Sequence, residues 1–289
     1  MANSIELFKQ YLPLMDEVYK TSSLTAVLDG ASELMTQGAN ANELIIQKMS
    51  MDGLGNYDRN SGYVQGSVTM TNETVKCNFD RGRMFQVDNM DNVETAGMAY
   101  GRLAAEFIRT KVNPELDAFR FATYAGINGI GTATGALTAG EAALAAIAKA
   151  YDEMTDAEVP ESDRHLFITS VIRGLIRDLD TTKSKEIMGK FASVTTVPQT
   201  RFYTAIEQKT GGTGEEAGGY AKATGGVNIN FMIIHKPAVI QHQKHVAPKV
   251  ITPEQNQDAD AWKFGYRNVG IADAYENKAA GIYLHKAQA

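Results

Sequence analysis

The chain of 289 residues predicts a mixed α+β protein, on three observations. Two segments, 43–51 and 68–77, alternate side chains with the period of two that marks extended strands. Val93, Ala96, Ala99, Leu103, Ala104 and Phe107 fall at helical spacing, with Arg102, Glu106 and Arg109 on the opposite side. From Ile127 onward helix-period and strand-period segments follow one another, the pattern of an α+β domain. A chain of this length buries roughly three quarters of its unfolded surface, enough for one large or two modest domains.

The first element is an amphipathic stretch over Asn3 to Tyr19, interrupted by Pro13. Its acids, Glu6, Asp16 and Glu17, are unlike a secretory leader, and it is too short and too polar to span a membrane. The sequence therefore reads as a cytoplasmic product. The apolar stripe of Ile5, Phe8, Leu12 and Met15 has few basic neighbours, so packing on the same or an adjacent copy is favoured over binding a membrane. Phe8 and Leu12 are candidate contact residues.

In the first strand Leu44, Ile46, Lys48 and Ser50 alternate with Ile45, Gln47, Met49 and Met51. In the second, Val68, Met70, Asn72, Thr74 and Lys76 alternate with Thr69, Thr71, Glu73, Val75 and Cys77. Between them, Asp52 to Gly62 is turn chemistry, rich in glycine and Asn/Asp. Neither strand has a strongly apolar face, so this ribbon gains little by packing on its own domain. It is either an ordinary surface hairpin or, better suited to its polarity, an arm lying across another molecule. Tyr57 and Arg59 are its candidate contact residues.

Arg83 to Val87 reads as a short strand, ended by the polar run Asp88 to Asp91. Arg81 and Arg83 have the forked donors that hold a carboxylate, either across an interface or within one subunit. Asp91 with Glu94 opens the long helix as an Asp-x-x-Glu box. Asn113-Pro114 breaks its pattern, Glu115 to Tyr124 resumes it and Gly126 is a natural stop.

Ile127 to Gly140 reads as a small-residue linker, with Thr138 and Glu141 as a capping box for the helix Ala142 to Met154. His165 to Thr169 is a strand and Ser170 to Asp178 a helix, followed by extended pieces at Val194 to Val197 and Arg201 to Tyr203. Thr210 to Gly226 is a glycine-rich, mobile loop, and Val227 to Ile234 a strongly apolar strand. Val239-Ile240 and Val250-Ile251 are shorter extended pieces, and Trp262 to Tyr266, Ala272 to Tyr275 and Gly281 to Leu284 are the closing strands. No internal repeat is visible.

Little in the chain argues for chemistry. Gly129-Ile130-Gly131-Thr132-Ala133-Thr134-Gly135 is one residue too long for a dinucleotide loop, and no apolar strand feeds it. Gly211-Gly212-Thr213-Gly214 lacks the lysine of a phosphate loop. His235, His242 and His245 lie close together, but no acid-rich helix accompanies them as further ligands. Cys77 stands alone, which excludes an internal disulfide and a cysteine metal cluster. A net charge of −6 argues against a dedicated nucleic-acid binder, though not against a protein that encloses nucleic acid. Neither catalytic, cofactor nor metal residues are assigned.

The order of an N-terminal arm, a long hairpin, a long helix ending in Asn113-Pro114-Glu115-Leu116-Asp117 and an α+β domain resembles the Hong Kong 97 fold of tailed-phage major capsid proteins. Cys77-Asn78-Phe79-Asp80-Arg81-Gly82-Arg83, Val159-Pro160 with Arg164, Val197-Pro198 with Arg201, and Asn277-Lys278-x-x-Gly281-Ile282-Tyr283 carry the resemblance across nearly the whole chain.

The resemblance implies an arm over residues 1–30 and a peripheral domain over 31–126. That domain holds an extended loop at about 43–87 and a spine helix at about 92–118. It implies an axial domain over 127–289, some of whose strands, at about 227–255, return to the peripheral domain. The implied function is a non-enzymatic major capsid protein that self-assembles, as hexamers and pentamers, into an icosahedral shell around double-stranded DNA. A portal, a separate scaffolding protein and a decoration protein are the implied partners, without a membrane and without sequence-specific DNA contacts. The implied location is the virion, with assembly in the host cytoplasm. The best-known member crosslinks its loops through a lysine, whereas residues 52–66 here hold Arg59 and no lysine, so a non-covalent shell is expected. Two other readings are a compartment shell like the encapsulins, enclosing a protein cargo, and a cytoplasmic nucleotide-using enzyme.

Overall fold

The computed structural model describes residues 23–30, 36–37, 43–60, 62–90, 103, 106–179 and 181–288. The amphipathic stretch at 3–19 and the Asp91–Glu94 box lie outside them.

The strands are β1 (Thr36–Gln37), β2 (Glu43–Met51), β3 (Val68–Lys76), β4 (Phe79–Asp88), β5 (Gly131–Thr134), β6 (Arg164–Thr169) and β7 (Ser193–Val197). They continue with β8 (Ile206–Gln208), β9 (Tyr220–Lys222), β10 (Ile229–His235), β11 (Val239–Ile251), β12 (Ala261–Ala274) and β13 (Ile282–Lys286). The helices are α1 (Asn113–Ala125), α2 (Gly140–Asp156), α3 (Ser170–Leu179) and α4 (Thr182–Gly189). The mixed α+β class is as the sequence predicts.

A five-stranded sheet in the order β5-β13-β10-β6-β7 forms the centre, with its outer pairs parallel and its inner pairs antiparallel. Period-two alternation sends Leu166, Ile168, Phe231, Ile233 and Tyr283 to one face, where they pack with residues of α2, α3 and α4. Phe167, Met232, Ile234, Ile282 and Leu284 go to the other, with Phe121 and Tyr124 of α1. Both faces are covered, which is why β10 reads as a continuous apolar run.

Arg164 is fully buried at the start of β6. Its guanidinium lies 4.4 Å from the centre of the Tyr151 ring. It donates to the carbonyls of Pro160, Tyr151 and Val159 and to Thr155 Oγ1, which ties the end of α2 to the sheet. Val159-Pro160 with Arg164 is therefore one structural device.

A second sheet, β11-β12-β4, is built on the long hairpin of β11 and β12. The short extended pieces read at 239–251 and 261–274 are the apolar ends of two uninterrupted strands. Polar residues in their middles hide the continuity, which the backbone ladder supplies.

Other departures have local causes. The proposed linker Ile127 to Gly140 contains β5, in which a Cβ on Gly131 would lie 2.5 Å from the Tyr283 ring. The glycine serves close packing there. Thr138 does not cap α2: Ala139 occupies the cap without a side-chain bond, and Gly140 lies too close to the Leu175 carbonyl to carry a Cβ. Helix α4 lacks the usual Glu or Gln signature at its start, because its capping box is closed by a serine, Thr181 with Ser184. Arg201, expected to begin the extended piece Arg201 to Tyr203, instead ends a 3-10 turn, Gln199–Arg201. The helix is not broken at Asn113-Pro114. A π-helical turn, Ile108–Val112, leads directly into α1, with Pro114 at its first turn. Gly126 does stop α1.

Candidate functional site

Three surfaces bear on interaction. The first is the hairpin, where β2 and β3 pair antiparallel from Glu43↔Lys76 to Met51↔Val68. Beyond the strands the Asp52 amide donates to the Ser67 carbonyl at 3.1 Å. The Ser67 amide donates to the Asp52 carboxylate at 2.7 Å. At the tip Asp58 and Gly62 exchange two backbone bonds, the Asn60 amide caps the Asp58 carboxylate, and Gly62 takes a positive φ of 81°. This folded turn holds the Tyr57 and Tyr63 rings edge to face, 4.8 Å apart. Both rings project into solvent, Tyr63 at 88% exposure, and Leu54 is fully exposed. Arg59 is exposed in the same turn.

The second is an open cleft of about 1240 Å³ between the inner face of β4, Leu103 with the helical residues 106–115, and the loop 209–222. Alternation along β4 turns Arg81, Arg83 and Phe85 into it. Arg81 Nε donates to Glu115 Oε1 at 2.8 Å, and its Nη2 reaches the carbonyls of Lys209 and Gly219. Arg83 donates to the carbonyls of Glu216 and Ala217. Burial raises the Glu115 carboxyl above its ordinary pKa, and the neighbouring Arg81 opposes the rise.

The loop that these arginines hold was expected to be mobile. It is folded by its own carboxylates: Glu215 accepts from the Thr210 amide and hydroxyl, and Glu216 accepts from the Gly214 amide. In the floor, opposite Arg81 across the ladder, stands Asn268, 1% exposed. Neither atom of its amide has a hydrogen-bond partner in the structure.

The third is a polar knot that fastens residues 23–30 to the body. Asp117 on α1, fully buried, accepts from Ser23 Oγ, from the Leu24 and Thr25 amides and from Thr25 Oγ1. Arg201 Nη1 donates to its other oxygen. Arg120 donates to Thr25 Oγ1. Gln241 donates to the Thr25 carbonyl and the Asp29 carboxylate, and its own side-chain oxygen accepts from Tyr124. Burial pushes the Tyr124 hydroxyl far above its ordinary pKa. Nothing in the spacing of residues 25, 117, 201 and 241 announces this knot.

Of the candidate contact residues, Tyr57 and Arg59 sit together at the tip, Arg81 and Arg83 in the cleft, and Phe8 and Leu12 outside the described residues. Among the described residues no three His, Cys, Asp or Glu side chains are grouped to hold a metal ion. No described helix is long and apolar enough to cross a membrane. Cys77 is half-buried and free.

No protein-family model matches this chain, and no curated protein matches it in sequence. Solved structures do. The chain is similar to a structure of Mycobacterium phage Che8, with a TM-score of 0.63 and 16% identity over 99% of this chain and 98% of that one. It is similar to the mature capsid of bacteriophage PhiM1, with a TM-score of 0.65 and 11% identity over 99% and 92%. It is also similar to a virus-like particle from Pyrococcus furiosus, with a TM-score of 0.52 and 11% identity over 85% and 86%. The chain has the fold of phage capsid subunits.

Proposed function

We propose that this chain, whose fold is that of phage capsid subunits, is the major capsid protein of a tailed phage, a structural subunit that self-assembles into an icosahedral shell around double-stranded DNA. The observation that carries the reading is the likeness over nearly full length, 99% of this chain on 92% of the PhiM1 capsid subunit. The virus-like particle of Pyrococcus furiosus is matched over less of both chains and at a lower TM-score than the Che8 and PhiM1 structures.

On this reading residues up to about 30 are the arm, anchored through the Asp117 knot, and 43–87 the extended loop that overlaps a neighbouring copy. The long helix at about 92–118 is the spine of a peripheral domain. Residues 127–289 supply the axial domain, and strands at about 227–255 rejoin the peripheral part, a reading supported by β11, which shares a sheet with β4 through β12. Tyr57, Arg59, Arg81, Arg83, Phe8 and Leu12 are the proposed contact residues. The partners are further copies in hexamers and pentamers, a scaffolding protein, a portal, DNA held without sequence specificity and a decoration protein. Assembly takes place in the host cytoplasm.

Negative-stain electron microscopy of the purified protein, expressed with and without a candidate scaffold, tests the reading. Closed shells, or rings of five and six, are expected. A small uniform oligomer under every condition overturns it. DNA in the particles separates a virion shell from a compartment filled with protein.

A further inference from the structure

We infer that the bend joining α1 to β5 is a modification site: Asn128 deamidates through a cyclic imide formed with the Gly129 nitrogen, and the isoaspartate so produced loosens β5.

The reaction needs the Gly129 amide nitrogen to reach the side-chain carbonyl carbon of Asn128. A fold ordinarily blocks such an attack by burial, by a hydrogen bond on that amide or by a side chain on the following residue. None of these protects Asn128. Both residues are exposed, and among the described residues none makes a hydrogen bond to the Asn128 side chain or to the Gly129 amide. Gly129 has a φ of 83°, which reserves the position for glycine and leaves its nitrogen unscreened by a Cβ. Theirs is the one Asn-Gly pair in the sequence. Other asparagines are guarded. Asn113 precedes Pro114, which has no N–H. The amides that follow Asn228 and Asn277 donate to the Phe202 and Tyr275 carbonyls, and the Asn78 side chain both donates to and accepts from the Ala272 backbone.

Water is the only other reactant. The Gly129 nitrogen gives its proton to water and bonds to Cγ of Asn128; the Cγ–Nδ2 bond breaks, and that nitrogen takes a proton from water and leaves as ammonia. Water then adds to one of the two imide carbonyls. Opening on one side gives aspartate. Opening on the other gives isoaspartate, whose main chain runs through Cγ and is longer by a methylene. Either product places a further negative charge on a chain of net charge −6.

The longer backbone matters because the bend is pinned at both ends. Ile127 and Ile130 pack on the same apolar core as Phe121 and Tyr124. The Ile127 amide donates to the Tyr124 carbonyl at 3.4 Å, and from Gly131 onward β5 pairs with β13. A methylene inserted between these anchors displaces one of them. The weaker anchor is β5, a strand of four residues at the edge of the central sheet with a ladder on one side only. Aspartate, with a main chain of ordinary length, changes the charge and leaves both anchors in place.

Ageing of the purified full chain in mildly acidic and mildly alkaline buffer, followed by peptide mass spectrometry, tests the site. Trypsin releases residues 121–149 as one peptide in which Asn128 is the only side-chain amide, so any deamidation read there belongs to it. The peptide is expected to gain about 1 Da, the exchange of an amide nitrogen for an acid oxygen. The gain should be faster at the alkaline pH and at least about tenfold faster than in any other asparagine-containing peptide. In Asn128→Gln, whose longer side chain demands a larger ring, the peptide should keep its mass. Amide hydrogen exchange tests the consequence: the isoaspartyl fraction, separated by anion exchange, should exchange faster at residues 131–134 than freshly purified Asn128→Asp, which carries the charge without the methylene. A peptide 121–149 that keeps its encoded mass over a period that converts it in the urea-unfolded chain overturns the site. Exchange at 131–134 equal to that of Asn128→Asp overturns the coupling to β5.

Discussion

Asp117 and Arg201 form an ion pair at 3.0 Å with 0% and 3% of their side chains exposed, joining α1 to the turn after β7 across 84 residues of sequence. The carboxylate needs its other donors as well, because a buried charge is tolerated only when its remaining lone pairs are satisfied. Four of those donors come from residues 23–25, so the pair couples the start of the described chain to the core.

Replacing Asp117 by Asn removes the buried carboxylate charge that Arg201 pairs with and is expected to destabilise by about 3–5 kcal/mol. Urea unfolding followed by circular dichroism should show a lower midpoint with an unchanged slope. The double change Asp117→Leu with Arg201→Met removes both charges and is expected to cost less than Asp117→Asn alone.

Thr25 Oγ1 donates to Asp117 and accepts from Arg120. Thr25→Ala strips both bonds and is expected to cost about 1–3 kcal/mol. Amide hydrogen exchange should show the loss first at residues 24–30, with α1 protected longer.

Gly131→Ala places a methyl 2.5 Å from the Tyr283 ring and is expected to destabilise by about 1–3 kcal/mol. Gly53→Ala, with no atom within 4 Å of the new methyl, should change stability by no more than about 0.5 kcal/mol. Melting temperatures of the two variants check the contrast.

Three histidines of the central sheet, His165, His235 and His285, are held below the ordinary value of 6.5, in each case chiefly by burial. His235 is opposed in addition by the Arg164 cation directly across the ladder. The unfolded chain therefore takes up these protons more readily than the folded one. Their contribution is fully present above pH 6.5 and is lost as the pH falls below it towards the folded values. The denaturation midpoint is expected to fall between pH 7 and pH 5, and His235→Gln to flatten that fall. A slope unchanged by the substitution would exclude His235 as a source.

Residues 52–66 contain Arg59 and no lysine, and arginine does not form an isopeptide bond with a neighbouring amide. Assembled particles should run as a single subunit band on a denaturing gel. A ladder of covalent multimers would contradict the non-covalent shell.

The fold was legible where a residue's neighbours in sequence determine its surroundings. Period-two alternation located both arms of the hairpin, and the apolar run at 227–234 located β10. It failed where distant residues decide. The middles of β11 and β12 are polar enough to look like loops until the two strands pair with each other along their length. The candidate arginines were recognisable from their chemistry, but Glu115 and the 209–219 carbonyls as their partners were not. Asn268 carries no signal at all in sequence: an ordinary asparagine in a strand becomes notable only once its neighbours are known and none of them bonds to it.

The π-helical turn at Ile108–Val112 sets where the described helical stretch 106–125 is mechanically soft. Pro114 withholds the amide that a regular helix would return to residue 110, and the wider turn absorbs that loss in one place. Compliance is concentrated there instead of being spread along residues 106–125. Residues 113–125, pinned by Asp117 and Arg120 to the 23–30 segment, form an anchored stub. A load applied upstream is then relieved by pivoting at a single joint while the anchored half keeps its grip on the central sheet.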